Sequence, residues 1–256
     1  MVTRRLPAIV GLACTLLAVL CVEGVRAGAP PPRADSAGPP VVSSPAWPKR
    51  LESVPALDPY FEGEEQRAKT VTILGSSRSS DPLKPYMLAA ESLARDLVLR
   101  GFHVLTGCGS AGIMGAAYRG ASTAANLPPG GSPRGENRVI LIRPLWEPCD
   151  FTTARAIGIA ESEGERIEKF RRASRTFVIF PGGAATLQEI ATLVTMNRYS
   201  ERFGPRRKLL LVDRRFYAGL AAQYRKQEQS GTLGAPVRDL LRIVDSPERV
   251  LRAILE

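Results

Sequence analysis

The sequence has few of the histidine and cysteine residues on which many hydrolases and metalloproteins depend. It contains one histidine, His103, and four cysteines among its 256 residues. One histidine leaves little room for a Ser-His-Asp or Cys-His mechanism, and we expect His103 to be packed within a strand. The cysteine spacing matches neither a metal site nor a disulfide framework. We therefore expect no metal, and we expect Cys108 and Cys149 to be buried free thiols, with a single bridge in an oxidising compartment as the alternative.

The sequence has fewer acidic than basic residues: it contains 25 Asp and Glu residues and 35 Lys and Arg residues, which give a net charge of +10. A basic balance suits nucleic acids or anionic membranes. However, the sequence has no RNA-binding aromatic signature, zinc-finger spacing or dense basic tail. We therefore expect no nucleic-acid partner, and we attribute the excess charge to solubility.

The one long apolar run lies at the N-terminus. Arg4 and Arg5 precede apolar residues from about position 6 to 22, and small residues follow at Val25 and Ala27. We interpret 1–27 as a signal peptide and expect export to the periplasm or the medium. The alternatives are an uncleaved membrane anchor, since about 17 apolar residues approach a spanning length, and a misassigned start. Proline, serine and alanine then predict a linker over 28–58, followed by one folded domain over 59–256.

Short apolar runs alternate with amphipathic stretches from residue 70 onward. The pattern predicts strands over 70–77, 102–109, 137–144, 175–183, 207–213 and 240–245, and helices over 84–101, 113–125, 153–174 and 185–199 with two more near the C-terminus. Continuously apolar strands are typical of a parallel sheet covered on both faces. Right-handed crossovers then give an α/β fold with an open doubly wound, Rossmann-like parallel sheet and helices on both faces.

Three glycine-bearing turns follow predicted strands, at 75–77, 107–112 and 181–186. In such a sheet, ligands bind at the carboxyl ends of the strands. Glycine lets the main chain approach a ligand closely, and the helix start that follows directs N–H groups at an anion. We therefore predict a phosphate site. The glycine spacing matches neither the dinucleotide fingerprint nor a P-loop, and no turn carries the lysine that a pyridoxal-dependent decarboxylase needs.

Two long stretches resemble the LOG family, the cytokinin-activating nucleoside 5'-monophosphate phosphoribohydrolases. Residues 75–117, beginning GSSRSSDPLKPY, resemble its first half, and residues 166–189, RIEKFRRASRTFVIFPGGAATLQE, resemble its second half, where an arginine precedes PGGxGTxxE. The resemblance runs from about Thr70 to Gly231. It implies cleavage of a nucleotide to free base and ribose 5-phosphate, a homodimer or larger oligomer, and no cofactor.

The resemblance also assigns site residues. It implies that Glu189 is the catalytic carboxylate and Arg166 the catalytic arginine. It implies phosphate and nucleotide contacts for Ser76, Ser77, Gly109, Ser110, Gly112, Gly182, Gly183, Ala185 and Thr186. A carboxylate suits glycosidic cleavage, since it stabilises an oxocarbenium-like sugar or activates water. The plain alternatives are that Glu189 favours the helix dipole and that Arg166 belongs to a solvated charged face.

The chain departs from the family pattern at several positions. Ala185 and Cys108 stand where glycine is usual, Glu163-Gly164 replaces Met-His, and Ile167 replaces a common lysine. A methyl group at a position of positive φ costs on the order of 1 kcal/mol. The alternative function is therefore a non-catalytic carrier of a nucleotide or of molybdenum cofactor, and a third is an anchored module that uses its basic surface. The default substrate is AMP or a related nucleotide.

Overall fold

The computed structural model describes residues 52, 54–127, 134–143 and 153–256. The predicted signal peptide, most of the predicted linker and Cys149 lie outside these residues. No helix within the described ranges is long and apolar enough to cross a membrane.

The domain is built on a seven-stranded sheet in which every neighbouring pair is parallel. The strands are β1 (Thr70–Leu74), β2 (His103–Thr106), β3 (Asn137–Ile142), β4 (Arg155–Ala160), β5 (Thr176–Ile179), β6 (Lys208–Val212) and β7 (Arg242–Val244). Their spatial order is β4-β3-β2-β1-β5-β6-β7. The chain thus builds outward from β1 in one direction, and from β5 in the other, which confirms the open doubly wound α/β fold.

Helices cover both faces of this sheet. They are α1 (Glu64–Lys69), α2 (Lys84–Leu99), α3 (Gly112–Ala125), α4 (Glu163–Ala173), α5 (Ala184–Arg198), α6 (Ser200–Phe203), α7 (Ala218–Gln229), α8 (Val237–Leu240) and α9 (Val250–Leu255). Side chains of α2, α3 and α9 pack with Val178 on one face, and those of α4, α5 and α7 pack with Phe177 and Ile179 on the other. Successive strand residues point to opposite faces, so each strand is apolar throughout.

Residues 155–160 form a strand where we predicted the first half of a helix over 153–174. The helix α4 begins at Glu163 instead, and the Ser162 hydroxyl caps it by accepting a hydrogen bond from Glu165 N at 3.2 Å. The strand β4 pairs with β3 on one side. On its other side, Leu57 forms an antiparallel bridge with Gly158, where an added Cβ would lie 2.8 Å from the Ala56 oxygen. The prediction was wrong because both partners of β4 are distant in sequence.

The segment before β1 is fastened to the sheet by Phe61, which is fully buried in a 3-10 turn over Pro59–Glu62. The guanidinium carbons of Arg138 and Arg155 lie 4.5 and 4.8 Å from its ring centre. Arg138 is itself buried and donates to Glu136 at 2.8 Å. Cation–π attraction from the two guanidinium groups adds to the stability that burial of the ring contributes.

His103 is satisfied locally, as the sequence predicted. Its Nδ1 accepts a hydrogen bond from Glu136 N at 3.0 Å. Burial is the main cause that lowers the pKa of His103 to about 4, and the charge of Arg138 adds to it. The imidazole is therefore neutral at physiological pH and has a structural role.

Candidate functional site

The three glycine-bearing turns lie side by side at the carboxyl edge of the sheet. Ser76 N donates to the Pro181 oxygen at 3.1 Å, and the Ser76 oxygen accepts from Ile113 N at 2.7 Å. The first turn therefore lies between the other two and is hydrogen-bonded to both. The structure thus brings the nine residues for which we predicted phosphate or nucleotide contacts to one edge.

Glycine is required at the start of α3. Gly112 has φ +62°, and an added Cβ there would overlap the Ser76 oxygen. Its N–H donates to Ser79 Oγ at 3.0 Å. Only a residue without a side chain lets the first and second turns approach this closely.

The start of α5 is open toward the predicted ligand. Gly183 is the N-cap residue, and no side chain caps the helix there. Gly183 is exposed, and an added Cβ would have no neighbour within 4 Å. Uncapped main-chain N–H groups at the start of a 15-residue helix are suited to bind an anion.

The two departures from glycine have different structural consequences. Ala185 lies in the first turn of α5 and is not among the described residues with positive φ, so its methyl group causes no backbone strain. Cys108 does have positive φ, at 59°, as expected where glycine is usual. Cys108 is also disulfide-bonded, so the prediction that it is a free thiol is wrong.

Arg166 lies on the inner face of α4 and is buried, with 7% of its surface exposed. Its Nη2 pairs with Glu163 Oε2 at 2.6 Å. Its Nη1 points to the second turn, where a Cβ on Gly107 would lie 3.0 Å away. Its Nε is buried and has no hydrogen-bond partner among the described residues. Arg166 is therefore not part of a solvated charged face.

Glu189 lies in the second turn of α5 and is also buried, with 6% of its surface exposed. Burial is the main cause that raises its pKa to about 7; the charge of Arg166 opposes this rise and that of Glu163 adds to it. Glu189 makes no ion pair or side-chain hydrogen bond to any residue that the structure describes. The charge of Arg166 thus acts on Glu189 within one protomer, although the two described side chains form neither an ion pair nor a hydrogen bond with each other.

Tyr217 is a neighbour of Glu189 that the sequence analysis missed. It is almost fully buried, and its hydroxyl donates to the Phe180 oxygen at 2.8 Å, directly before the third turn. Burial raises the pKa of Tyr217, and the charge of Glu189 adds to this rise. Its position depends on a turn in which Asp213 has φ +82° and accepts from Arg215 N at 2.7 Å. An aromatic residue shortly after a strand was the only sequence signal.

A cavity of about 620 Å³ lies near the carboxyl ends of β6 and β7. Tyr86, Asp213, Arg214 and Asp245 are among the residues that line it. It contains none of the predicted site residues. We locate the candidate site at the three turns because hydrogen bonding, open main-chain N–H groups and a buried carboxylate coincide there.

No group of three or more His, Cys, Asp or Glu side chains could hold a metal ion within the described part of the chain. The groups that the structure brings to the candidate site are main-chain N–H groups, the Arg166 guanidinium and the carboxylates of Glu163 and Glu189. Such a set binds an anion and can polarise or deprotonate a group placed beside Glu189.

Comparison with one solved structure agrees with the fold. TM1055, a structural-genomics target solved by X-ray crystallography, superposes with a TM-score of 0.50 at 17% identity, over 73% of this chain and 98% of that one. A molybdenum cofactor binding protein from Rippkaea orientalis gives 0.48 at 20% identity, over 73% and 94% of the two chains. At 17% identity the likeness to TM1055 concerns the fold alone.

Sequence comparisons identify the family. A rice (Oryza sativa subsp. japonica) protein named probable cytokinin riboside 5'-monophosphate phosphoribohydrolase LOGL5 is 31% identical over 157 residues. The match covers 61% of this chain and 59% of the rice protein, which is less than two thirds of that relative. The pattern of the family described as possible lysine decarboxylase matches residues 114–254. That match spans more than half of the chain, so the protein belongs to this family, the LOG family.

Proposed function

We propose that the protein hydrolyses the N-glycosidic bond of a nucleoside 5'-monophosphate, with AMP or a related nucleotide as substrate, to free base and ribose 5-phosphate. The observation that carries this proposal is the buried carboxyl of Glu189, which Arg166 faces at an edge where the start of α5 is uncapped. The family membership and the name of the rice relative support the same chemistry.

The phosphate group would bind to the main-chain N–H groups around Gly183, where the structure leaves open space. Glu189 follows on the same helix, about one and a half turns further on. A ligand held by its phosphate at Gly183 would therefore place its ribose next to Glu189. Holding the ribose beside the carboxylate in this way lowers the activation barrier of the reaction.

The proposed reaction uses Glu189 as a general base. Water attacks the anomeric carbon, the bond from that carbon to the base nitrogen breaks, and its electron pair leaves with the base. The Glu189 carboxylate accepts the proton from water, and its charge stabilises the positive sugar in the transition state. Arg166 donates a hydrogen bond to the departing base, which is finally protonated by solvent. A base with a pKa near 7 suits this role.

The name lysine decarboxylase implies a different chemistry, for which the site offers no support. A pyridoxal-dependent decarboxylase holds its cofactor as a Schiff base with lysine. The turns at 75–77, 107–112 and 181–186 contain no lysine. A phosphate site can form without a lysine, because the main-chain N–H groups at the start of α5 are hydrogen-bond donors at the positive end of the helix dipole.

The alternative proposal is that the protein is a non-catalytic carrier. A phosphate turn strained by the methyl group of Ala185 would favour a carrier. Ala185 is not among the residues with positive φ, so the turn keeps a shape that can bind an anion. The buried, unpaired carboxyl of Glu189 is more useful to a hydrolase than to a protein that only binds an anionic ligand.

Chromatography of the products from a panel of nucleoside monophosphates tests the proposal. We expect the wild-type protein to release free base, and Glu189→Gln to lose at least a hundredfold in rate, the scale of general base catalysis, while nucleotide affinity in calorimetry changes little. Binding without release of base from any nucleotide would favour the carrier.

We also propose that 1–27 is cleaved on export and that the domain forms a homodimer. Mass spectrometry of the purified protein would identify the mature N-terminus, and an intact Met1 would contradict cleavage. Sedimentation equilibrium would give the oligomeric state, and a monomer at working concentration would contradict the dimer.

A further inference from the structure

Two carboxylates lie near Arg166, and only one of them pairs with it. Glu163 is the first residue of α4, and its Oε2 lies 2.6 Å from Arg166 Nη2. Glu189 forms no ion pair with Arg166, although the two charges interact. The guanidinium is thus held by a residue of its own helix, and the buried carboxyl of Glu189 is left without a counter-ion.

Two other ion pairs of α4 have structural explanations that the pair of Glu163 and Arg166 lacks. Lys169 pairs with Glu165 and also donates to the Ile159 oxygen. Arg171 pairs with Glu168 and also donates to the Phe203 oxygen. These cations fasten the helix to neighbouring main chain.

Arg166, in contrast, donates to no main-chain oxygen among the described residues. Its Nε is buried without a partner there, and its Nη1 faces Gly107 of the second turn. An unpaired donor on a buried guanidinium has a cost in stability. The Nη1 of Arg166 lies at the second turn, so the direction in which Glu163 holds Arg166 matters for a ligand that binds there.

We propose that Glu163 is a positioning residue for the proposed reaction: it holds Arg166 toward the second turn and prevents it from closing onto Glu189 as an ion pair. This inference rests on the proposed function.

The charges around Glu189 explain why the pairing of Arg166 with Glu163 matters. Arg166 and Glu163 act on it from α4, and Tyr217 faces it from the start of α7. The Tyr217 hydroxyl is committed to the Phe180 oxygen. The pKa of Glu189 is therefore set by burial, by the lowering effect of Arg166 and by the raising effect of Glu163. Without the negative charge of Glu163, Arg166 would lower it unopposed.

The test separates charge from hydrogen bonding. Glu163→Gln keeps an oxygen that can accept from Arg166 but removes the charge, and Glu163→Ala removes both. Glu168→Gln is a matched control, because Glu168 also pairs with an arginine at i,i+3 spacing on the same helix. The side chains of Glu168 and Arg171 are 34% and 10% exposed. Those of Glu163 and Arg166 are 33% and 9% exposed. Circular dichroism and thermal melts would show that all three variants fold.

Carbon-13 NMR titration of the Glu189 carboxyl in the full chain is the primary measurement, because it needs no turnover. In Glu163→Gln and Glu163→Ala we expect the titration midpoint of Glu189 to move to lower pH. At a fixed pH near the midpoint, the ratio of ionised to protonated Glu189 should rise about tenfold, because the positive charge of Arg166 is no longer opposed by Glu163. We expect no change in Glu168→Gln. An unmoved midpoint, or an equal shift in the control, would overturn the proposal whether or not the protein is a hydrolase.

Base release from AMP adds the positioning readout. The acidic limb of the pH–rate profile should move to lower pH in both Glu163 variants. At the plateau, Glu163→Ala should lose about tenfold or more in kcat, and Glu163→Gln should recover most of that loss, with KM within about twofold of wild type. Equal plateau rates in the two variants and wild type would refute the positioning role. Absence of base release from wild type would refute the proposed function and leave the titration to decide on Glu163.

Discussion

The buried carboxyl of Glu189 should make the protein less stable as the pH rises, and replacing it should remove this cost. Burial raises the pKa of Glu189 from 4.5 to about 7. An acid whose pKa is raised in the folded state contributes stability in its protonated form. That contribution is complete below pH 4.5, the unfolded value, and is lost as the pH rises to about 7.

The magnitude follows from the size of the shift. The pKa rises from 4.5 to about 7, and each unit corresponds to about 1.4 kcal/mol, so the loss between pH 4 and pH 8 is about 3 kcal/mol. Glutamine at position 189 has nearly the same shape and no charge. The stability of Glu189→Gln relative to wild type should therefore increase by about that amount over this range, or roughly 6 to 12 °C in Tm.

Urea unfolding of both proteins at half-unit pH steps from 4 to 8 measures the difference directly. The difference should be flat below about pH 4.5, rise through neutral pH and flatten again above pH 8. Comparison with Glu168→Gln, in which a carboxylate that is 34% exposed loses its charge, controls for a general effect of removing negative charge. A difference between Glu189→Gln and wild type that stays constant over the whole range would show that Glu189 is not desolvated, and our reasoning about the site would fail.

Three further predictions concern single side chains. Ala185→Gly should restore the family glycine without raising affinity for AMP more than about twofold in calorimetry, and should cost up to about 1 kcal/mol in urea unfolding, because the alanine lies in a helix without strain; a large gain in affinity would show that its methyl group obstructs the ligand. Tyr217→Phe leaves the Phe180 oxygen without its donor and should cost about 1 to 3 kcal/mol in unfolding free energy, and an unchanged value would mean that water replaces the hydroxyl. Phe61→Ala should cost about 3 to 5 kcal/mol and increase amide hydrogen exchange around residues 57–69, whereas exchange spread evenly over the domain would refute a local fastening.

The site was predictable as far as local sequence determines it. Glycines at strand ends identify the turns, because the close approach at Gly112 tolerates no side chain. Burial of β1, β2, β3, β5 and β6 follows from their apolar runs. The strand β4 was missed since Ala156 favours a helix and Gly158 favours neither a helix nor a strand, and pairing with β3 and Leu57 makes the segment a strand.

Other features of the site depend on contacts between distant residues. The position of Tyr217 depends on the left-handed turn at Asp213, and aspartate is only a weak signal for positive φ because most aspartates do not adopt it. The pairing of Arg166 with Glu163 is local, but its significance depends on the burial of Glu189, which lies on another helix. The disulfide of Cys108 likewise joins residues whose proximity the sequence does not reveal.

The position of the site follows from the reversal of strand order between β1 and β5. The helix α2, which follows β1, packs on one face of the sheet, while α5, which follows β5, packs on the other. The chain therefore leaves the two neighbouring strands in opposite directions, and the turns at Gly75 and Gly182 border a crevice. Glu189 and Arg166 lie on α5 and α4, which pack on the same face of the sheet. Glu163 lies on that face as well, at the start of α4, which is why its removal should be felt at Glu189.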